Sequence, residues 1–157
     1  MALKMELLHH IRPMGESDLD AVAAMEAATY PDPWPRQALA YEALHNPVCS
    51  AFVMEEEGAV AGYAFLWVIF EQAHLINIAV GQAFRRKGLG EALLAHVLRY
   101  AEARGADDVH LEVRETNEAA VALYRKYGFT VLGRQDKYYN DGTPALMMHL
   151  RLPAVPS

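Results

Sequence analysis

The chain has one cysteine, Cys49, among 157 residues, which excludes an internal disulfide and fits a reducing cytosol. Cys49 then reads as a small core residue. No run approaches the roughly eighteen uncharged apolar residues that a membrane-crossing helix needs. The longest apolar run, 59–70, is interrupted by Gly62 and suits a buried strand. Lys4, Glu6, His9, His10 and Arg12 break up the first dozen residues, so neither a signal peptide nor a membrane anchor is expected. Positive charge is in deficit: 14 Lys and Arg face 20 Asp and Glu, a net charge of −6, which argues against direct nucleic-acid binding. Seven histidines are scattered with no H-x-x-x-H pair and no Cys/His cluster. His9 and His10, adjacent on a strand, would face opposite sides, so no metal is expected. With 53% apolar and 22% charged residues, the composition predicts one globular domain over 1–153 and a disordered tail over 154–157.

Against that acidic background stands Arg85-Arg86-Lys87-Gly88-Leu89-Gly90. Before it lies a strand-like stretch, Leu75 to Val80. After it, from Glu91 to Arg104, comes a helical pattern with Leu89, Leu93, Val97 and Ala101 on one face. Strand, basic glycine turn and helix together make a phosphate cradle. The glycines let the backbone approach the anion, and the unpaired first-turn N–H groups and the helix dipole favour negative charge. Taken alone, the hexapeptide is equally a solvated basic turn. Its spacing excludes two nucleotide loops. A Walker loop needs four residues between its glycines, and a dinucleotide fingerprint needs a third glycine where Leu93 stands.

The remaining chain reads as alternating elements. Leu7 to Arg12 predicts a strand, and Ser17 or Asp18 caps a helix running to about Tyr30. Pro31, Pro33 and Pro35 force a loop, and a helix from Arg36 to His45 follows. Strands are predicted over 50–55 and 59–70 around the hairpin turn Glu56-Glu57-Gly58, and over 75–80. Another is predicted over 108–115. Thr116 or Asn117 caps a helix through Tyr127, closed by Gly128. Strands over about 129–139 and 145–152 join through Asn140-Asp141-Gly142. The expected fold is α/β with a mixed central sheet, in the order β-α-α-β-β-β-α-β-α-β-β.

That order, with the R/Q-x-x-G-x-G/A loop at Arg85 to Gly90, resembles the GNAT superfamily of N-acetyltransferases over essentially the whole chain. The likeness is greatest to its ribosomal-protein-alanine N-acetyltransferases. It is carried by Pro33-Trp34, Asn77-Ile78-Ala79-Val80, Leu111-Glu112-Val113-Arg114, Asn117, Ala122-Leu123-Tyr124, Gly128-Phe129 and Tyr138-Tyr139. Two segments depart from the pattern. Gly81-Gln82 replaces an Asp-Pro-like pair, and Thr143-Pro144-Ala145 stands where the family tends to carry acidic residues.

The resemblance implies acetyl-CoA as co-substrate and no metal. It also implies a cytoplasmic enzyme acting on a protein N-terminus, such as the alanine of a basic ribosomal protein. Arg85, Arg86, Lys87, Gly88, Leu89, Gly90 and Glu91 would hold the pyrophosphate. The Ile78-Ala79-Val80 backbone would pair with pantetheine as an added strand, and Asn117 would bond the same arm. In this likeness Glu112 is the proton acceptor and Tyr124 the proton donor. By residue pattern alone, Glu112 is equally a solvated or Arg-paired glutamate, with His110 on the same strand face able to do the same chemistry. Tyr124 is equally a core aromatic beside Val121 and Tyr127, Asn117 a helix cap, and Ile78 and Val80 ordinary core. Trp34, Tyr138 and Tyr139 either wall the substrate mouth or simply pack. An α-amine is neutral about one time in ten at pH 7, a lysine roughly once in two thousand, so the α-amine is the easier nucleophile. Acetylation of lysine or a small amine, and acyl-CoA sensing without turnover, are the alternatives on the same scaffold.

Overall fold

The computed structural model describes residues 10–85 and 88–153. Among these, β1 (His10–Pro13), β2 (Cys49–Glu56), β3 (Ala59–Ile69) and β4 (Gln72–Val80) form an antiparallel meander. β5 (Asp108–Arg114) joins β4 in parallel, and β7 (Ala145–Arg151) lies antiparallel between β5 and β6 (Thr130–Gln135). The sheet order is therefore β1-β2-β3-β4-β5-β7-β6. The β2–β3 turn places Glu57 and Gly58 at φ 53° and 80°, the left-handed pair whose twist matches the flanking strands.

Alternation along the strands builds two cores. Phe52, Met54, Ala64 and Leu66 face α3 (Leu89–Ala103) and α4 (Glu118–Lys126). Val53, Tyr63 and Phe65 face α1 (Leu19–Thr29) and α2 (Arg36–Leu44). A bulge at Ile76 interrupts this pattern, because Phe65 pairs with Asn77 while Leu66 pairs with Leu75. The extra residue reverses the facing of everything beyond it. Ala73 and Leu75 join the α3 core, yet Ala79 joins the α1 core and Ile78 and Val80 turn back toward α3. Asn77 is thereby delivered to the α1 side.

Several expected boundaries shift. The first strand is described only from His10, and residues 7–9 lie outside the described residues, as do Arg86, Lys87 and the 154–157 tail. Asp18 does not cap α1 through its side chain. It ends a single 3-10 turn instead, where its carboxylate accepts the Gly15 N–H and both terminal nitrogens of Arg12, each at 2.8 Å. The strand expected over 59–70 stops at Ile69, since Phe70 takes the left-handed turn conformation and is 86% exposed. The strand expected to reach Tyr139 stops at Gln135, because Lys137 turns the chain with φ 53°.

Candidate active site

The parallel ladder between β4 and β5 is short. Gln72, Ala73 and His74 pair with Asp108, Val109 and His110, and then the strands part. β4 stays bonded to β3 as far as Val80, and β5 to β7 through Arg114, so the sheet forks. A cleft of about 810 Å³ occupies the fork, between β4, β5, α4 and the loop after α1. The Gly81 N–H bonds Ala61 O at 2.8 Å, so by alternation the polar groups of Ala79 point to β3 and those of Ile78 and Val80 into the cleft. Their carbonyls accept the Tyr30 hydroxyl at 2.6 Å and Arg85 Nε at 3.0 Å. A strand edge left open in this way can take an extended, amide-bearing ligand.

The glycine turn lies at one end of that edge. Gly88 has φ 76°, a left-handed conformation that strains a side chain, and it is the residue from which α3 starts. The Ala92 N–H is bonded to Gly88 O, so the N–H groups of Leu89, Gly90 and Glu91 lie in the first turn, ahead of this bond. A Cβ on Gly90 would touch Val80 Cγ2 at 3.7 Å and Leu123 Cδ2 at 4.0 Å, ordinary contacts, while anything larger would enter the cleft. The Glu91 carboxylate is held by Lys126 Nζ at 2.6 Å, so what it offers an anion is its backbone N–H. The turn, the dipole of a 15-residue helix and the open edge fit a diphosphate followed by an amide-linked arm.

Glu112 lies on the β5 wall of the cleft, with Oε1 2.7 Å from His74 Nε2. Tyr124, on α4, borders the same cleft while packing 5.6 Å from the Phe129 ring, so the core aromatic and the cleft residue are one side chain. Burial, with the nearby Tyr139, pushes its phenol far up, so it holds its proton at any ordinary pH. Asn117 caps α4, its Oδ1 accepting the Ala120 N–H at 3.2 Å, and it also lines the cleft. Trp34 and Tyr139 line it as well. Tyr138 stands outside, packed edge-on against Tyr139 at 4.9 Å. His110 faces a separate concavity, its ring 4.9 Å from that of His149.

Four residues in or beside the cleft were given no role of their own from the sequence. Glu26 is 2% exposed and accepts from the Tyr63 hydroxyl at 2.5 Å, Asn77 Nδ2 at 2.8 Å and the Trp34 N–H at 3.0 Å. It ties the floor of the cleft to its entrance loop. Tyr30 reaches across to Ile78, and burial raises its phenol well above the usual value. Asn77 is aimed by the bulge, and His74 stands where the fork begins. Across the entrance, Arg114 grips Asp141 and lies 4.1 Å above the Tyr139 ring, while Asn140 donates to Asp32 at 2.6 Å. The Thr143 amide and hydroxyl, and then Arg114, hold the Asp141 carboxyl down at about 2, so this clasp is charged throughout the physiological range.

A forked α/β sheet with a helix-start anion cradle at one end of the open edge, and a carboxylate and a phenol on the cleft walls, defines an acyl-CoA-dependent transferase. The sequence profile of the acetyltransferase (GNAT) family matches residues 19–129, and the chain belongs to that family. The ribosomal protein bS18-alanine N-acetyltransferase of Escherichia coli K12 is 33% identical over 84% of this chain and 88% of its own length. The crystal structure of the Escherichia coli ribosomal-protein-S18-alanine N-acetyltransferase superposes with a TM-score of 0.84 at 32% identity, covering 95% of each chain. An N-alpha-acetyltransferase of Sulfurisphaera tokodaii is 31% identical over 89% of this chain and 91% of its own. The protein is an N-acetyltransferase that uses acetyl-CoA.

Proposed function

We propose that this enzyme acetylates the N-terminal α-amine of a protein in the cytoplasm, with the N-terminal alanine of a basic ribosomal protein as its substrate. The observation that carries this reading is the fork, which lines one cleft with Glu112, Tyr124 and the Ile78–Val80 edge that no strand covers. Acetyl-CoA supplies an activated acyl group as a thioester. The Ile78 and Val80 backbone groups align its arm, Asn117 bonds that arm, and Arg85 to Gly90 with the Glu91 N–H bind its pyrophosphate. Glu112 takes the proton from the ammonium so that the neutral amine attacks. Tyr124 gives its proton to the departing sulfur and recovers one from the amide nitrogen through solvent. The sum is one acetyl moved from sulfur to nitrogen, one thiol formed and one proton released. The net charge of −6 favours a cationic substrate, and an α-amine asks less of Glu112 than a lysine does.

Tyr124→Phe keeps the ring packing and loses the hydroxyl. It is expected to lower kcat by roughly tenfold or more, below the 10²–10⁴ of a full acid–base step because a thiolate can also leave unprotonated, with the melting temperature nearly unchanged. Stopped-flow thiol release and a thermal melt check both halves. The reading as a whole is tested by thiol release from acetyl-CoA with an Ala-initiated peptide, and with the same peptide blocked at its N-terminus. Release with the free peptide alone is expected. Equal release with both contradicts α-amine transfer, and release with neither leaves an acyl-CoA-binding sensor.

A further inference from the structure

His74 is the last β4 residue paired with β5 and stands at the vertex of the fork. Its register partner is His110, so both rings project from one sheet face together with Glu112, two residues further along β5. Its Nε2 is 2.7 Å from Glu112 Oε1, and its ring stands edge-on to Trp67 at 6.0 Å. Two cavities meet at this contact. Glu112 lines the reaction cleft, whereas His74 lines a separate concavity of about 330 Å³ walled by Trp67, Ile69, Gln72, Ala73 and His110. The His74–Glu112 bond thus joins the cleft to a second solvent face.

We infer that His74 is a positioning residue for the acetyl transfer. Its Nε2–H fixes Glu112 by one oxygen and leaves the other for the amine. This rests on Glu112 being the base. Because His74 lines its own concavity rather than the cleft, it holds Glu112 while cofactor and peptide fill the cleft, so its loss falls on kcat and not on acetyl-CoA binding.

The groups around the pair are few. β3 contributes the uncharged Trp67, and β5 contributes His110 and Glu112. Beyond His110, β7 contributes His149, whose Nε2 is 2.5 Å from Asp108 Oδ1. The loop after β6 contributes Tyr138 and Tyr139, with Arg114 over the Tyr139 ring. Burial first, and Glu112's charge among the lesser causes, pushes the Tyr139 phenol to about 12, so that loop adds no titration of its own near neutrality.

The test is the pH profile of kcat, at saturating acetyl-CoA and peptide, for the full-length wild type, His74→Gln, His74→Leu and Glu112→Gln. Glutamine keeps an N–H donor, so His74→Gln is expected to hold kcat within about threefold of wild type. His74→Leu removes the donor too and is expected to lose about tenfold in kcat at every pH, with KM for acetyl-CoA within about twofold. The substrate amine titrates identically in all four proteins and cancels in the comparison. Wild-type kcat in His74→Leu, with Glu112→Gln slow, overturns the role of His74 and leaves the base assignment standing. A His74→Gln protein as slow as His74→Leu overturns it independently. Wild-type rates in Glu112→Gln overturn the base assignment and this inference together.

Discussion

Glu112→Gln is expected to lower kcat by roughly 10²–10⁴, the range that a positioned general base contributes, while the dissociation constant for acetyl-CoA stays within about twofold. The asymmetry follows from where the residue stands. Glu112 belongs to β5, across the fork from the β4 edge and far along the chain from the glycine turn, so neither the arm nor the diphosphate depends on its charge. Glutamine has nearly the same volume and can still accept a bond from His74, so the half-buried position should fold normally. The loss should be largest near neutral pH and shrink toward alkaline pH, where more of the amine is already neutral. Equal rates for the two proteins between pH 6 and 9 would mean that bulk water removes the proton.

The second large effect is expected in the anion cradle. Gly90→Val should weaken acetyl-CoA binding by at least about tenfold, or 1.4 kcal/mol, in a protein that remains folded. Gly90 is the informative glycine because its backbone is ordinary helix and its Cβ position is free of close contacts, the nearest atom being Val80 Cγ2 at 3.7 Å. The valine methyls would occupy cleft space beside the N–H groups of the first turn. At Gly88 the same substitution would be confounded by strain at φ 76°. Calorimetry on the folded Gly90→Val protein measures the effect. Unchanged affinity would place the diphosphate elsewhere. Salt should weaken wild-type binding only modestly, since fixed N–H dipoles contribute much of the hold.

The element order and the glycine turn were legible because period-two and period-3.6 patterns change at Gly, Pro and Asn. Three determinants of the site were not. The Ile76 bulge leaves no mark in Leu75-Ile76-Asn77-Ile78-Ala79-Val80, which reads as an unbroken apolar strand. Yet it decides that Asn77 meets Glu26 and that Ile78 and Val80 turn their side chains toward α3. The insertion of β7 between β5 and β6 is a choice of partner that alternation within a strand cannot encode. His74 finds Glu112 38 residues away, only because the parallel ladder ends there. Glu26 did carry a signal. It falls on the spacing of Leu19 and Val22, both buried, so a charged residue was sitting on the core stripe of α1. A carboxylate in that position must find donors, and the three it finds are the floor and mouth of the cleft.

The clasp across the entrance bears on which acceptor is used. Thr143-Pro144-Ala145 lacks the acidic residues expected there, but Asp141 supplies a carboxylate two positions earlier, and it is committed to Arg114 and the Thr143 amide. With Glu26 buried and committed to its three donors, the carboxylates left to face an incoming chain are Glu112 and Asp32, the latter shared with Asn140. One carboxylate inside and one at the rim suit a single cationic terminus followed by a basic segment.

The most direct measurement is to give the enzyme acetyl-CoA and one Ala-initiated peptide that carries an internal lysine, and to locate the acetyl group by fragmentation mass spectrometry. Acetylation at the α-amine with the lysine unmodified is the expected result. Acetyl on the lysine alone would contradict the α-amine assignment while leaving an acetyltransferase in place.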